Sequence, residues 1–177
     1  GSTRKGSYNK SLCIHAKELL DNDNQVTLID LKNTPLPLYD ADYEQSNPYP
    51  KGLSELKSRL MQSDVIIIAS PEYNGGITAV LKNTIDWLTR SEDKKADISP
   101  FRHKTAILMS ASPSMLGGTK GLIHLRLILS HIKMLVLPEQ FTLAKAHETF
   151  DENNRIKSQA YLERLKSVLM QESKALS

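Results

Sequence analysis

Apolar positions along the chain alternate between short continuous runs and longer stretches spaced three and four apart. Tyr8 to Leu20 carries Leu12, Cys13, Ala16, Leu19 and Leu20 at helical spacing. Residues 25–31 read as a strand, with Val26, Leu28, Ile29 and Leu31 as its apolar members. Pro35, Pro37 and Pro48 then mark residues 32–50 as a loop. Residues 52–61 predict a second helix with Leu53, Leu56 and Leu60 on its buried stripe. Val65 to Ala69 is apolar at every position, bounded by Asp64 and Pro71. Such a strand must be covered on both faces, the habit of parallel sheets. Residues 77–90 predict a third helix, 105–109 a second buried strand, 119–131 a fourth helix and 134–137 a last strand ended by Pro138. Residues 156–170 close the chain as an amphipathic helix carrying Ile156, Leu162, Leu165, Val168 and Leu169.

Strand–helix alternation of this kind predicts an α/β protein, an open parallel sheet with helices on both faces. The chain opens on a Gly-Ser loop that runs straight into a helix. In a doubly wound sheet that loop leaves the first, central strand, so a short apolar strand upstream of Gly1 is expected.

Composition narrows the function. A length of 177 residues suits one domain, 1–177, able to bury most of its apolar surface without staples. Hydrophobic residues at 40% and charged residues at 24% are ordinary for a globular chain. A net charge of +3, with scattered lysines, gives no argument for nucleic acid. Cys13 is the one cysteine, which excludes an intrachain disulfide and Cys-rich metal sites, and it reads as a small buried hydrophobe. No apolar run reaches the roughly 20 residues of a membrane span. Gly1-Ser2-Thr3-Arg4 has no signal-peptide character, so the expected location is cytoplasmic.

Three loops carry candidate chemistry. Gly1 to Asn9 offers hydroxyls, small residues and the Arg4 guanidinium just before a helix N-terminus, where a phosphate finds free N–H groups and a favourable dipole. Equally, it reads as a polar turn in which Ser7 caps the helix. Pro71-Glu72-Tyr73-Asn74-Gly75-Gly76 leaves the apolar strand at its carboxyl end, where ligands bind in open α/β sheets. Its glycines allow close backbone approach to a flat ring, and Asn74 supplies a donor and an acceptor. Ser110 to Gly118 leaves the next strand, again hydroxyl-rich and glycine-ended. Three such loops converge on one rim and imply a site for a phosphorylated planar ligand.

These segments resemble the NAD(P)H-dependent FMN reductases of the flavodoxin-like superfamily, which include quinone, azo-dye and chromate reductases. Gly1 to Asn9 looks like their phosphate loop, and Pro71 to Asn74 with Leu81 to Trp87 is similar to their most distinctive segment. Leu36-Pro37-Leu38-Tyr39-Asp40 and the 112–118 loop fit as well. The resemblance implies a flavodoxin-like doubly wound sheet of order 2-1-3-4-5. It implies that Ser2, Arg4, Ser7 and Asn9 hold the FMN phosphate, that Pro71, Glu72, Tyr73 and Asn74 line the flavin ring, and that Ser112 and Gly117 border it. It also implies a homodimer or homotetramer whose neighbouring subunit helps wall the flavin. Thr78-Ala79 and Ser114 depart from the family's pattern beside the ring site and bear on the shape of the substrate pocket.

The expected function is two-step transfer through bound FMN: NADPH or NADH delivers hydride, then a small-molecule electron acceptor takes its place. The flavin carries that chemistry, so no catalytic side chain is expected. The alternatives are a flavodoxin-type electron carrier, against which a pI of about 8.9 speaks, and a flavin-binding regulatory protein without turnover. His124 and His131 lack a third ligand at metal-site spacing, so no metal is expected. Trp87 reads as core or subunit contact, and Arg126 either reaches the ligand rim or pairs with a surface acid.

Overall fold

A computed structural model describes residues 1–21 and 24–171. Its sheet has three parallel strands, β1 (Val65–Ala69), β2 (Thr105–Ala111) and β3 (Leu135–Leu143), in the order β1-β2-β3. Around it run α1 (Tyr8–Leu20), α2 (Ala41–Ser46), α3 (Leu53–Met61), α4 (Ala79–Leu88), α5 (Thr119–His131), α6 (Ala146–Thr149) and α7 (Gln159–Leu169).

β2 shows why its residues form a buried strand. Ala106 and Leu108 face a core built with α3, α4 and α5, while Ile107, Met109 and Ala111 face a second core built with α1 and α7. All five are 3% exposed or less, so both faces are covered and successive side chains serve opposite layers. Each large side chain removed from water there contributes roughly 1.5–3 kcal/mol. His15, on α1, completes the second core: its Nδ1 lies 2.8 Å from the Ser11 carbonyl, and its Nε2 accepts from the Ile156 N–H at 3.2 Å. A backbone donor on Nε2 places the ring proton on Nδ1.

Several expected boundaries shift, each for a local reason. Residues 25–31 form no ladder, since the described residues place no strand beside them; Leu28 and Ile29 stay 40% and 36% exposed. The expected five-strand order therefore reduces to three paired strands among the described residues. β1 has an open edge, and Val65 to Ile68 are only half-buried. Pro138 does not end the last strand. β3 runs on to Leu143 because the register jumps there, with Ala106 opposite Val136 but Leu108 opposite Gln140. Proline has no N–H to give a ladder and is tolerated at such an irregularity.

The third helix starts at Ala79, with Thr78 as N-cap accepting from Leu81 N–H, and the last starts at Gln159 behind Ser158. The 32–50 loop contains a 3₁₀ turn (Leu31–Asn33) and the short α2, capped by the Asp40 carboxylate. That loop is fastened to α4. Trp87 Nε1 and Asn83 Nδ2 both donate to the Pro37 carbonyl, at 2.8 and 2.9 Å, and buried Glu44 pairs with Arg90 at 2.8 Å. Trp87, 1% exposed, is a core residue.

Candidate functional site

At the carboxyl end of the sheet the three loops enclose a cavity of about 300 Å³, lined by Ser2, Arg4, Ser7, Asn9, Pro71, Glu72, Tyr73, Ala111, Ser112 and Pro113. Eight of the ten residues expected at the site therefore meet there. Asn74 and Gly117 do not line it. Ala111 and Pro113 do, and their bland side chains gave no signal; only their place at the end of a buried strand did.

The loops are fixed by bonds across large sequence separations. Gly1 donates to the Ala69 carbonyl at 2.8 Å, and Thr78 Oγ1 donates to the Gly1 carbonyl at 2.6 Å. Thr78 thus caps α4 and ties the first loop to the second. Asn9, buried, exchanges two hydrogen bonds with Ala111, Nδ2 to the carbonyl at 2.8 Å and the Ala111 N–H to Oδ1 at 3.0 Å. Its carboxamide joins the first loop to the third, while the residue also lines the cavity. Ser112 N–H donates to the Leu143 carbonyl at 3.0 Å and anchors the third loop on β3.

Ser7 occupies the N-cap position of α1, yet its hydroxyl makes no cap bond. The expected side-chain cap is absent, although the Ser7 carbonyl closes the first turn as an N-cap carbonyl does, accepting from Lys10 and Ser11 at 3.0 and 3.1 Å. The hydroxyl instead lines the cavity. Arg4 lies over the Tyr8 ring, 5.9 Å from its centroid, and Tyr8 stacks on Phe150, so the guanidinium stands on an aromatic pedestal. The α1 first turn carries no acid, and its Tyr8 and Asn9 N–H groups precede the first intrahelical bond.

The second loop is a tight hairpin. Tyr73 and Gly76 exchange backbone bonds of 3.0 Å in both directions around Asn74 and Gly75, whose φ values are 51° and 78°. Positive φ at both central residues is the pattern of a type I′ turn, which Asn-Gly adopts readily. Asn74 is therefore a turn residue, and the turn presents Tyr73 at the cavity, 54% exposed. Glu72, the one acidic lining residue, accepts from the Gly121 N–H at 3.1 Å in the first turn of α5. Gly117 holds φ 60° and lies so close to β3 that a Cβ would stand 3.0 Å from Ala144 N. It shapes the third loop without touching the cavity.

The rim is poor in acids: residues 1–17, 73–85 and 110–138 contain no Asp or Glu, and the one lining carboxylate, Glu72, accepts from the first turn of α5. Arg126 takes neither expected role: its guanidinium donates to the Val136 and Pro138 carbonyls, both at 3.2 Å, where β3 breaks register. Burial pushes the Cys13 thiol above its ordinary range, so it is no ready nucleophile. Among the described residues no helix is long and apolar enough to cross a membrane.

Fold and cavity define a flavodoxin-like α/β protein whose loops gather around an anion-friendly, ring-sized site at the carboxyl end of its strands. The chain belongs to the NADPH-dependent FMN reductase family, whose model matches residues 1–148. It is 32% identical over 137 residues to a quinone reductase of Escherichia coli (strain K12), covering 77% of this chain and 70% of that one. It is also 32% identical over 176 residues to an NAD(P)H:quinone oxidoreductase of Solanum tuberosum, covering 96% and 86%. Among solved structures it superposes on the flavoenzyme NAD(P)H:(acceptor) oxidoreductase FerB from Paracoccus denitrificans with a TM-score of 0.79, at 25% identity, covering 97% and 90%.

The residues present fit FMN. The lining combines hydroxyls (Ser2, Ser7, Ser112) and the Arg4 guanidinium, donors of the kind a phosphate needs, with flat or apolar surface from Pro71, Tyr73 and Pro113 of the kind a ring needs. The chain is thus an NAD(P)H-dependent oxidoreductase of the FMN reductase type.

Proposed function

We propose that this chain, acting as one domain over 1–177, holds FMN in the three-loop cavity and passes electrons from NADPH or NADH to quinones, flavins or similar small acceptors. The observation that supports this most is the meeting of Ser2, Arg4, Ser7, Pro71, Glu72, Tyr73 and Ser112 around one cavity. Bound FMN supplies the redox chemistry, accepting a hydride from the nicotinamide and giving two electrons to the acceptor.

The protein's own part is binding and orientation. Ser2, Ser7, Arg4 and the α1 first turn hold the phosphate. Pro71, Glu72 and Tyr73 lie along the ring, with the Asn74 turn presenting Tyr73 and Glu72 clamped to α5 so that the hairpin keeps its place. Ser112 and Gly117 set the third loop at the border, and Asn9 holds that loop to α1. No side-chain acid or base is assigned. Exposed Leu116, Ile123 and Leu127 beside the site suit a homodimer or homotetramer in which a neighbouring subunit walls the flavin. The reading places the enzyme in the cytoplasm.

An anaerobic absorbance titration of the FMN-loaded protein with NADPH, then NADH, tests this. Bleaching of the flavin band, reversed by a quinone, is the expected result. Flavin that binds but stays oxidised overturns the reductase reading, and failure to bind FMN overturns the site.

A further inference from the structure

Beside the cavity, α5 carries two cationic or polar side chains that the FMN site does not use. Lys120 lies against the Asn74–Gly75 turn: a methyl placed on Gly75 would stand 3.9 Å from its Cδ. His124, one turn further on, faces the other glycine, with Nδ1 3.7 Å from a methyl placed on Gly76. Both are exposed. The glycine pair leaves the space in front of them open, and Tyr73 stands at the same edge.

Charge bookkeeping singles out Lys120. Lys10 pairs with Asp30, Lys82 with Asp86, and Arg126 is spent on backbone carbonyls. Lys120 makes no hydrogen bond or ion pair among the described residues, and α5 contains no acid to attract it. The Glu72 carboxylate, against the same turn of α5, is taken up by the Gly121 N–H, at 3.1 Å, so an exposed lysine with its stem beside the tight turn, at the rim of the cavity, is placed to receive a second anion. The Arg4 guanidinium and Ser7 belong to the first loop, whereas Lys120 lies by the second.

We propose that Lys120 and His124, together with the Asn74–Gly75 turn, seat a phosphate of the nicotinamide dinucleotide while its nicotinamide lies over the face of the site beside Tyr73. This rests on the reductase reading given above. The shared chemistry is a phosphoryl oxyanion, supplied either by the pyrophosphate that NADH and NADPH have in common or by the 2′-phosphate that NADPH alone carries. Lys120 donates as a point charge and His124 through a ring N–H, an arrangement that binds phosphate without the fixed geometry an arginine fork demands.

Calorimetric titration of the FMN-loaded protein with NADP⁺ and with NAD⁺, in wild type, Lys120→Ala, His124→Ala and Lys120→Arg, provides the test. Loss of one charge-assisted contact predicts about ten-fold weaker binding for Lys120→Ala, a smaller loss for His124→Ala, and recovery in Lys120→Arg. An equal loss for both dinucleotides assigns the pyrophosphate, and a loss confined to NADP⁺ assigns the 2′-phosphate. Unchanged affinity for both in Lys120→Ala overturns the proposal. FMN content, read from the flavin band, stays at the wild-type level in every variant. If the wild type binds dinucleotide but shows no flavin bleaching, the reductase reading fails while the phosphate seat stands.

Discussion

Asn9 and Ala111 stand 102 positions apart and are joined by a reciprocal pair of hydrogen bonds, so that the Asn9 carboxamide continues the β2 ladder as a strand residue would. The bond binds the start of α1 to the last residue of β2, and both flank the cavity.

Asn9→Asp is the discriminating substitution there. A carboxylate accepts from the Ala111 N–H but has nothing to donate to the Ala111 carbonyl, which is left buried and facing a negative charge. A loss of roughly 1–3 kcal/mol is expected, with weaker FMN retention because two loops part. Urea unfolding with and without added FMN checks both effects; an unchanged midpoint would show that the paired bonds do not hold the loops.

Ser110 and Gly118 give predictions of opposite sign. The Ser110 hydroxyl is fully buried with no hydrogen-bond partner among the described residues. Ser110→Ala removes that orphan and is expected to leave stability unchanged or raise it by up to about 1 kcal/mol. Gly118 holds φ 91°, and a Cβ there would meet Ser110 Oγ at 1.9 Å and Cβ at 2.8 Å. Gly118→Ala should therefore lower the melting temperature sharply, and the double variant should recover only part of the loss, since the second contact and the positive φ remain. Differential scanning calorimetry of the three variants decides it.

Glu44, 4% exposed, meets the Arg90 guanidinium at 2.8 Å and accepts from Tyr39 at 3.3 Å. Glu44→Ala strands a part-buried guanidinium and two donors, and a cost of about 3 kcal/mol is expected. The damage should centre on the 32–50 loop. Hydrogen exchange there should quicken first, while exchange in β2 follows global unfolding.

Asp97 ties α3 to the segment after α4 through Lys57, at 2.7 Å. Burial would raise its carboxyl, but the Lys57 ammonium and the Ser99 N–H outweigh that and bring it to about 2. Against an unfolded value of about 3.9, the folded state binds its proton less readily. The stabilisation is complete above pH about 4 and is lost as pH falls toward 2. Asp97→Asn should flatten that part of the acid limb while lowering stability at neutral pH. Urea midpoints from pH 5 to 2 measure both.

Much of the site was legible in the residues. Continuous apolar runs at 65–69 and 105–109 marked parallel strands, the second buried on both faces and the first half-buried, and each delivers its loop at a carboxyl end. The convergence of Ser2, Arg4, Ser7, Pro71, Tyr73 and Ser112 followed from that placement. Asn74-Gly75 carried its own turn, because positive φ at two successive residues is cheap only for such a pair. The Asn9–Ala111 pairing was not legible for a plain reason: a carboxamide's partner is a backbone group 102 positions away, which composition does not reveal.

The sequence by itself determined roughly where the helices and strands lie and which loops carry the ligand chemistry, because periodicity, turn propensity and charge are properties of neighbouring residues. Only the tertiary structure decided that β3 passes through Pro138, that Thr78 and Asn9 fasten loops together, and that, among the described residues, 25–31 form no ladder and Lys120 stands unpaired beside the Gly75 turn. Each of those depends on which backbone donor or charge a distant segment brings within 3 or 4 Å, and pairing across space is settled by packing.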